Sequence, residues 1–226
     1  MRRNYIFQCC DFRLLAAWVL VGISCLCPPP AAADLSGIRA YFAENDIDWN
    51  FASGKREASV NELSFQLEEA IDTGTRLGAG FGYMDVLLRG DATTPSRSFN
   101  AHYLEFFARH PFTLSENIEL STRFNYRFNS GDDRNEDDPA RIDWSEAGLE
   151  LGLGIQVSRV RLTPYAVYLY LDGDIDAASG SESFDLDDQI STGLRLDLFI
   201  DDTSYVGFSV ETGDYSRVFL VFAREY

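Results

Sequence analysis

Two histidines, a few runs of aspartate and an alternation of arginine with glutamate are the residues of this chain that could do chemistry. His102 stands in His102-Tyr103-Leu104 and His110 precedes Pro111. The chain contains no H-E-x-x-H, no G-x-S-x-G and no Walker A loop, so neither histidine has a nucleophile or metal partner at a recognised spacing. The segment Asp172-Gly173-Asp174-Ile175-Asp176 places carboxylates at alternate positions, as a calcium loop begins. It then departs from that pattern, with Ala177 where a glycine is needed and Ser183 where a bidentate glutamate is needed. No catalytic residue, metal site or cofactor is therefore expected. What remains is a set of charges on one parity of alternating stretches. The acids are Glu62, Glu68, Glu105, Glu119, Glu150, Asp197 and Glu211; the bases are Arg39, Arg76, Arg109, Arg123, Arg127, Arg159, Arg161, Arg195 and Arg217. Such groups cannot be buried singly, so they are expected to pair with one another, Arg being suited by its planar, permanently charged fork. A filled polar interior is the expected result, and a gate on a narrow ion pathway is the sharper alternative.

The elements that must position these charges are strands. Ten alternating stretches are predicted, near Gly37–Glu44, Val60–Glu69, Arg76–Leu88, Phe99–Arg109, Asn117–Phe128, Trp144–Val157, Arg159–Leu171, Gln189–Ile200, Ser204–Glu211 and Ser216–Tyr226. Along the fifth, Ile118, Leu120, Phe124, Tyr126 and Phe128 face one way while Glu119, Ser121, Arg123, Asn125 and Arg127 face the other. The third carries Gly78, Gly80 and Gly82 on its polar parity, room for large side chains from across a narrow interior. Pro164 predicts a bulge or an unpaired position in the seventh. Asp85 falls on the outward parity. The connections alternate in length. Asn45–Ser59, Arg89–Arg97, Asn129–Arg141 and Asp172–Asp188 are predicted as long polar loops at one end; the short turns lie at the other, one of them at His110-Pro111 and one at Asp201-Asp202.

Residues 1–33 read as a cleaved signal peptide: Arg2 and Arg3, an apolar Leu14–Leu26, Pro28–Pro30, then Ala31-Ala32-Ala33 before Asp34. All four cysteines lie within it, which leaves the 34–226 domain without disulfides or thiolate ligands. Removing three Arg and one Asp with the leader leaves 16 basic and 35 acidic residues, a net charge of −19. That balance excludes a nucleic-acid partner. After the leader no apolar run is long enough for a spanning helix, so any membrane crossing must use strands, and only a closed barrel satisfies every backbone group there.

Polar-in, apolar-out alternation, unequal connections and a last strand with Val218, Leu220, Phe222 and Tyr226 on one face resemble the small outer-membrane β-barrels of the outer membrane protein A and protein X type. The resemblance implies an all-β, antiparallel, up-and-down transmembrane barrel of ten strands, eight being the alternative, with a plugged polar lumen. It also implies a monomer in the outer membrane of a Gram-negative cell, among lipid and lipopolysaccharide. The terminal strand would be the signal to the barrel assembly machinery, with Arg224 an exception in its apolar face. Rings at Tyr126, Phe128, Trp144, Tyr168 and Tyr170, and at Phe112, Tyr205 and Tyr226, would form two aromatic girdles. Three roles fit the resemblance: a structural or surface-interaction barrel, a porin-like narrow pore, or an outer-leaflet lipid-modifying enzyme. The third is disfavoured. Barrel lipid A deacylases carry His-x-Ser, and here Leu104 replaces the serine. Omptin proteases carry an aspartate pair opposite His-Asp and are longer, and of the two pairs here, Asp187-Asp188 and Asp201-Asp202, the second would lie at the periplasmic end.

Overall fold

The computed structural model describes residues 36–71, 74–90, 95–133, 139–178, 180–186, 189–213 and 215–225. The leader, Asp187-Asp188 and Tyr226 lie outside the described residues. Eleven antiparallel strands follow one another: β1 (Gly37–Phe51), β2 (Gly54–Ala70), β3 (Arg76–Leu88), β4 (Arg97–Ser115), β5 (Ile118–Asp133), β6 (Ala140–Val157), β7 (Val160–Ala177), β8 (Gly180–Leu186), β9 (Ile190–Phe199), β10 (Ser204–Gly213) and β11 (Tyr215–Glu225). Ten of them close a ring that omits β8, sealed by β1 against β11 from Gly37↔Glu225 to Ile47↔Tyr215. The ten-stranded barrel expected from the sequence is therefore the fold.

β8 adds a feature that the alternation did not predict. It pairs with β7 (Asp172↔Asp185 to Ala177↔Gly180) and, on its other side, with β1 (Trp49↔Leu186 to Phe51↔Phe184). Beyond the tip of the β10–β11 hairpin, strands β1 to β8 thus close a second ring of eight. The two rings share β1 to β7, and the barrel necks from ten strands to eight where the hairpin stops. Strand lengths agree with this division. β9, β10 and β11 have 10, 10 and 11 residues, about what a tilted strand needs to cross a bilayer. β1, β2 and β4 to β7 have 15 to 19 and continue past it.

The two rings have opposite polarity. In β1, Ile38 and Phe42 face outward against Arg39 and Tyr41 inside; six residues on, Glu44, Asp46 and Asp48 face outward and Ile47, Trp49 and Phe51 are inside. β2 repeats the exchange, with Phe65 and Leu67 outside and Glu62 and Gln66 inside the larger ring, then Ala58 and Val60 inside the smaller. β7 does the same, with Tyr168 and Tyr170 outside below and Asp172, Asp174 and Asp176 outside above, over Leu171 and Ile175. The larger ring is apolar outside, as lipid requires; the smaller is apolar inside, as water requires.

This exchange corrects the loop assignments. Most of Asn45–Ser59, of Asp172–Asp188 and the start of Asn129–Arg141 is strand, because alternation continues there with its apolar phase moved by one residue. Trp49, assigned to a loop, is 1 % exposed and packs in the upper core. The acidic Asp172–Asp176 run is the outer face of β7. His110-Pro111 lies within β4, and the turn falls at Glu116-Asn117. Around Pro164 the β6–β7 ladder lacks partners for Thr163 and Pro164 but keeps its register, so an unpaired position replaces the bulge.

The turn between β9 and β10 is held by one carboxylate. Asp201 Oδ1 accepts from the Thr203 amide (2.8 Å), the Ser204 amide (2.7 Å) and the Thr203 hydroxyl (2.9 Å). These donors favour the ionised form and hold its carboxyl below the ordinary value of 3.8. A depressed folded value stabilises the fold above the ordinary value, and that contribution is lost as pH falls through the folded one. Asp201→Ala is expected to lower the unfolding midpoint of the detergent-solubilised barrel near neutral pH, the gap to wild type closing below about pH 4. A gap independent of pH would remove this role.

Candidate functional site

Within the larger ring, inward parity brings charged side chains from all sides into two hubs. The first is at the end where the described chain begins and finishes. Glu68 on β2 pairs with Arg76 on β3 (2.9 Å), with Arg109 on β4 (2.5 Å) and with Arg39 on β1 (3.5 Å). Glu225 on β11 meets the same three guanidiniums at 2.9, 2.8 and 3.4 Å. Two carboxylates and three arginines from five strands thus tie the closing seam together. Sequence reasoning missed Glu225, although it shares the inward parity of Arg217, Phe219, Val221 and Ala223.

The second hub is Glu62, whose side chain is fully buried. It accepts from the Tyr41 hydroxyl (2.8 Å) and from the Tyr103 hydroxyl, and pairs with Arg127 on β5 (3.3 Å) and Arg217 on β11 (3.5 Å). Arg127 also donates to Tyr41 (2.9 Å) and lies 4.1 Å from the centre of the Tyr103 ring. Cation–π contact and hydrogen bonding together fix its plane. Glu105 joins this level through Arg123 (3.0 Å) and Gln66 (2.6 Å), and Glu150 through Arg195 (3.2 Å). The tyrosines and Glu146, which meets Arg127 at 3.8 Å, were not among the residues singled out from sequence.

The remaining sequence candidates lie apart from the hubs. Arg161 faces inward over the Phe199 ring at 5.1 Å and bonds Gln156 rather than an acid. Asp197, Glu211 and Glu119 keep inward parity but make no ion pair among the described residues; Asp197 and Glu211 are buried. Arg159 is a correction: it is exposed in the two-residue turn between β6 and β7, where parity no longer applies. His102 faces outward, away from every luminal carboxylate. Of the proposed girdle, Tyr168, Tyr170, Phe128 and Phe112 are exposed, while Trp144 is buried in the upper core and Tyr205 faces the lumen.

Gly78, Gly82 and Gly193 make room for the Phe107, Tyr103 and Tyr165 rings of the neighbouring strand rather than for side chains from across the lumen. Gly82 is paired with Tyr103, and a Cβ at Gly82 would collide with that ring. The absence of a side chain there lets Tyr103 lie flat and reach Glu62.

Above the hubs the lumen changes character. Trp49 stacks on Phe184 (4.5 Å between centres, planes 21° apart) and meets Trp144 at 5.9 Å, and Met84, Val86, Leu88, Phe99 and Ile142 complete a dry core inside the smaller ring. Arg56 crosses the Phe51 ring at 5.0 Å and bonds the carbonyl of Arg89 (3.2 Å) over this core.

No family model matches the sequence, and no curated protein matches it. Among solved structures, the chain is similar to the translocator domain of the autotransporter NalP from Neisseria meningitidis (12 % identity, 95 % of this chain and 96 % of that one, TM-score 0.49). It is also similar to Neisserial surface protein A (10 %, 86 % and 99 %, TM-score 0.48) and to the outer membrane protease OmpT from Escherichia coli (9 %, 87 % and 98 %, TM-score 0.49). A ring of ten antiparallel strands, with an apolar belt outside and paired charges within, is the architecture of a transmembrane β-barrel.

Proposed function

We propose that this barrel is a non-conducting membrane anchor that presents the eight-stranded ring as a rigid, acidic pillar for surface interaction. One observation carries the reading: the lumen is filled twice, first by the Glu68–Glu225 and Glu62 hubs and then by the dry Trp49–Phe184–Trp144 core. A salt-bridged layer alone could be wetted and crossed, whereas an apolar core of this thickness excludes hydrated ions. Export by the leader and assembly from the periplasm place the turn-bearing end inward and the pillar outward. The outward carboxylates of β1, β7 and β8 (Asp46, Asp48, Asp172, Asp174, Asp176, Asp185) then stand above the lipopolysaccharide, a surface for cationic partners. A catalytic role finds no support in the lumen, where every carboxylate of the hubs is engaged by arginine or tyrosine and both histidines lie on the outward parity.

Planar-bilayer recording of the refolded barrel in potassium chloride tests the reading. Wild type is expected to give no stepwise conductance across about 100 mV of either sign; steady open-channel steps would replace the anchor reading by that of a pore.

A further inference from the structure

Between the hubs and the upper core runs a cavity of about 130 Å³. It is long rather than round. Its lining follows β1 from Arg39 to Trp49, about 25 Å along the axis at ~3.3 Å per residue and a ~40° tilt. That volume is room for about ten waters in a file. Of the eight buried side-chain atoms without a hydrogen-bond partner among the described residues, six belong to residues on this wall: Arg39 Nε, Asn45 Oδ1, Trp49 Nε1, Arg127 Nε, Glu211 Oε2 and Arg217 Nε. Buried groups of this kind are satisfied by water when the protein does not supply a partner. Four of them are donors and two are acceptors, and water can serve both.

The two ends of the file differ. At the lower hub solvent already reaches Glu225 (29 %), Arg76 (24 %) and Arg109 (23 %). Guanidiniums and carboxylates there can exchange partners with water without losing hydration. At the upper end the rings of Trp49 (1 %) and Phe184 (2 %) shut the lumen off from solvent. Phe184 belongs to β8, which holds β1 by only three register pairs, with Asn50 to Asp185 (3.2 Å) and Ser53 to Glu182 (2.7 Å) alongside.

We propose that the lumen contains a water-filled ion path closed at one end only, and that the aromatic cap carried by β8, not the ion-pair hubs, is its seal. The proposal rests on the anchor reading, in which the closed state is silent. It deepens that reading by locating the seal. Removing the Phe184 and Trp49 rings joins the file to the outer surface.

Bilayer recording of variants tests it, each checked first for a folded, heat-modifiable barrel. Trp49→Ala combined with Phe184→Ala is expected to give conductance steps at least tenfold above wild-type leak. Arg109→Gln combined with Glu225→Gln, in the lower hub, is expected to stay silent with the cap intact. If the cap pair does not fold, Met84→Ser wets the same level without removing a ring and takes its place. Folded cap variants that remain silent would overturn the proposal, as would lower-hub variants that conduct while the cap is intact. A conducting wild type would defeat the anchor reading instead, so the two failures are distinguishable.

Discussion

Replacing Glu62 by leucine is expected to destabilise the barrel by about 3–5 kcal/mol, the usual cost of removing one partner from a buried ion pair. Among the described residues, the substitution leaves Arg127 with one carboxylate, Glu146 at 3.8 Å, and Arg217 without an ion-pair partner. It also takes the acceptor from the Tyr41 and Tyr103 hydroxyls. Glu62→Gln keeps an acceptor but loses the charge, so it should fall between wild type and Glu62→Leu. Removing Arg127 together with Glu62, both as leucine, should recover part of the loss, because the uncompensated charge goes with it. Denaturant unfolding in detergent, followed by the mobility difference between folded and heated protein, reads all three. A Glu62→Leu midpoint equal to wild type would show that the hub is not a stabilising unit.

Deleting Phe222–Tyr226 is expected to abolish barrel formation rather than weaken it. β1 would lose its partners from Gly37 to Ala40 along the closing seam. The same cut removes Glu225 and leaves Arg39, Arg76 and Arg109 converging on Glu68 alone, two more positive charges than the carboxylate neutralises. An open seam in lipid exposes unpaired backbone groups at several kcal/mol each. Glu225→Ala separates the two causes, since it keeps the backbone pairing and removes only the carboxylate. It should assemble with a lowered midpoint. A heat-modifiable barrel in the outer membrane after the full deletion would refute the role given to the closing strand.

The ring of ten was legible because its evidence is periodic. Glu119 to Phe128 alternates with one exception, Thr122 on the apolar parity, and each strand in turn needs a neighbour for its backbone. The pairing of arginine with glutamate was legible for the same reason: parity alone puts Arg127, Arg217 and Glu62 on one side of the wall. Which partner each takes was not, since strands 155 residues apart in sequence meet in the lumen. Parity also overreached at Arg159, where a two-residue turn ends the strand that would have aimed it inward. The smaller ring was missed for a different reason. From Phe42 to Ile47 the period of two never breaks; only the phase of its apolar members moves, from even to odd positions. A search for one continuous apolar face takes that shift as the end of a strand and the start of a polar loop. Physically it marks the water line, where the side that must be apolar changes from outside to inside. Tyr41 and Tyr103 escaped notice because tyrosine on an inward parity looks like packing until a carboxylate is found beside it.

The neck has one more consequence. β8 and β9 both pair with β7, and the register between Asp185 and Ile190 differs by one residue. β8 already pairs with β1 at Trp49↔Leu186. Continued downward with that single step, β9 would lie along β1 with Ile190 beside Asp46 and Leu198 beside Ile38, outward residues opposite outward residues. The β10–β11 hairpin therefore stands in the larger ring between two strands, β9 and β1, whose parities already match. Circumference in this molecule is set locally, two strands at a time, and one chain can present a wide section to lipid and a narrow one to water.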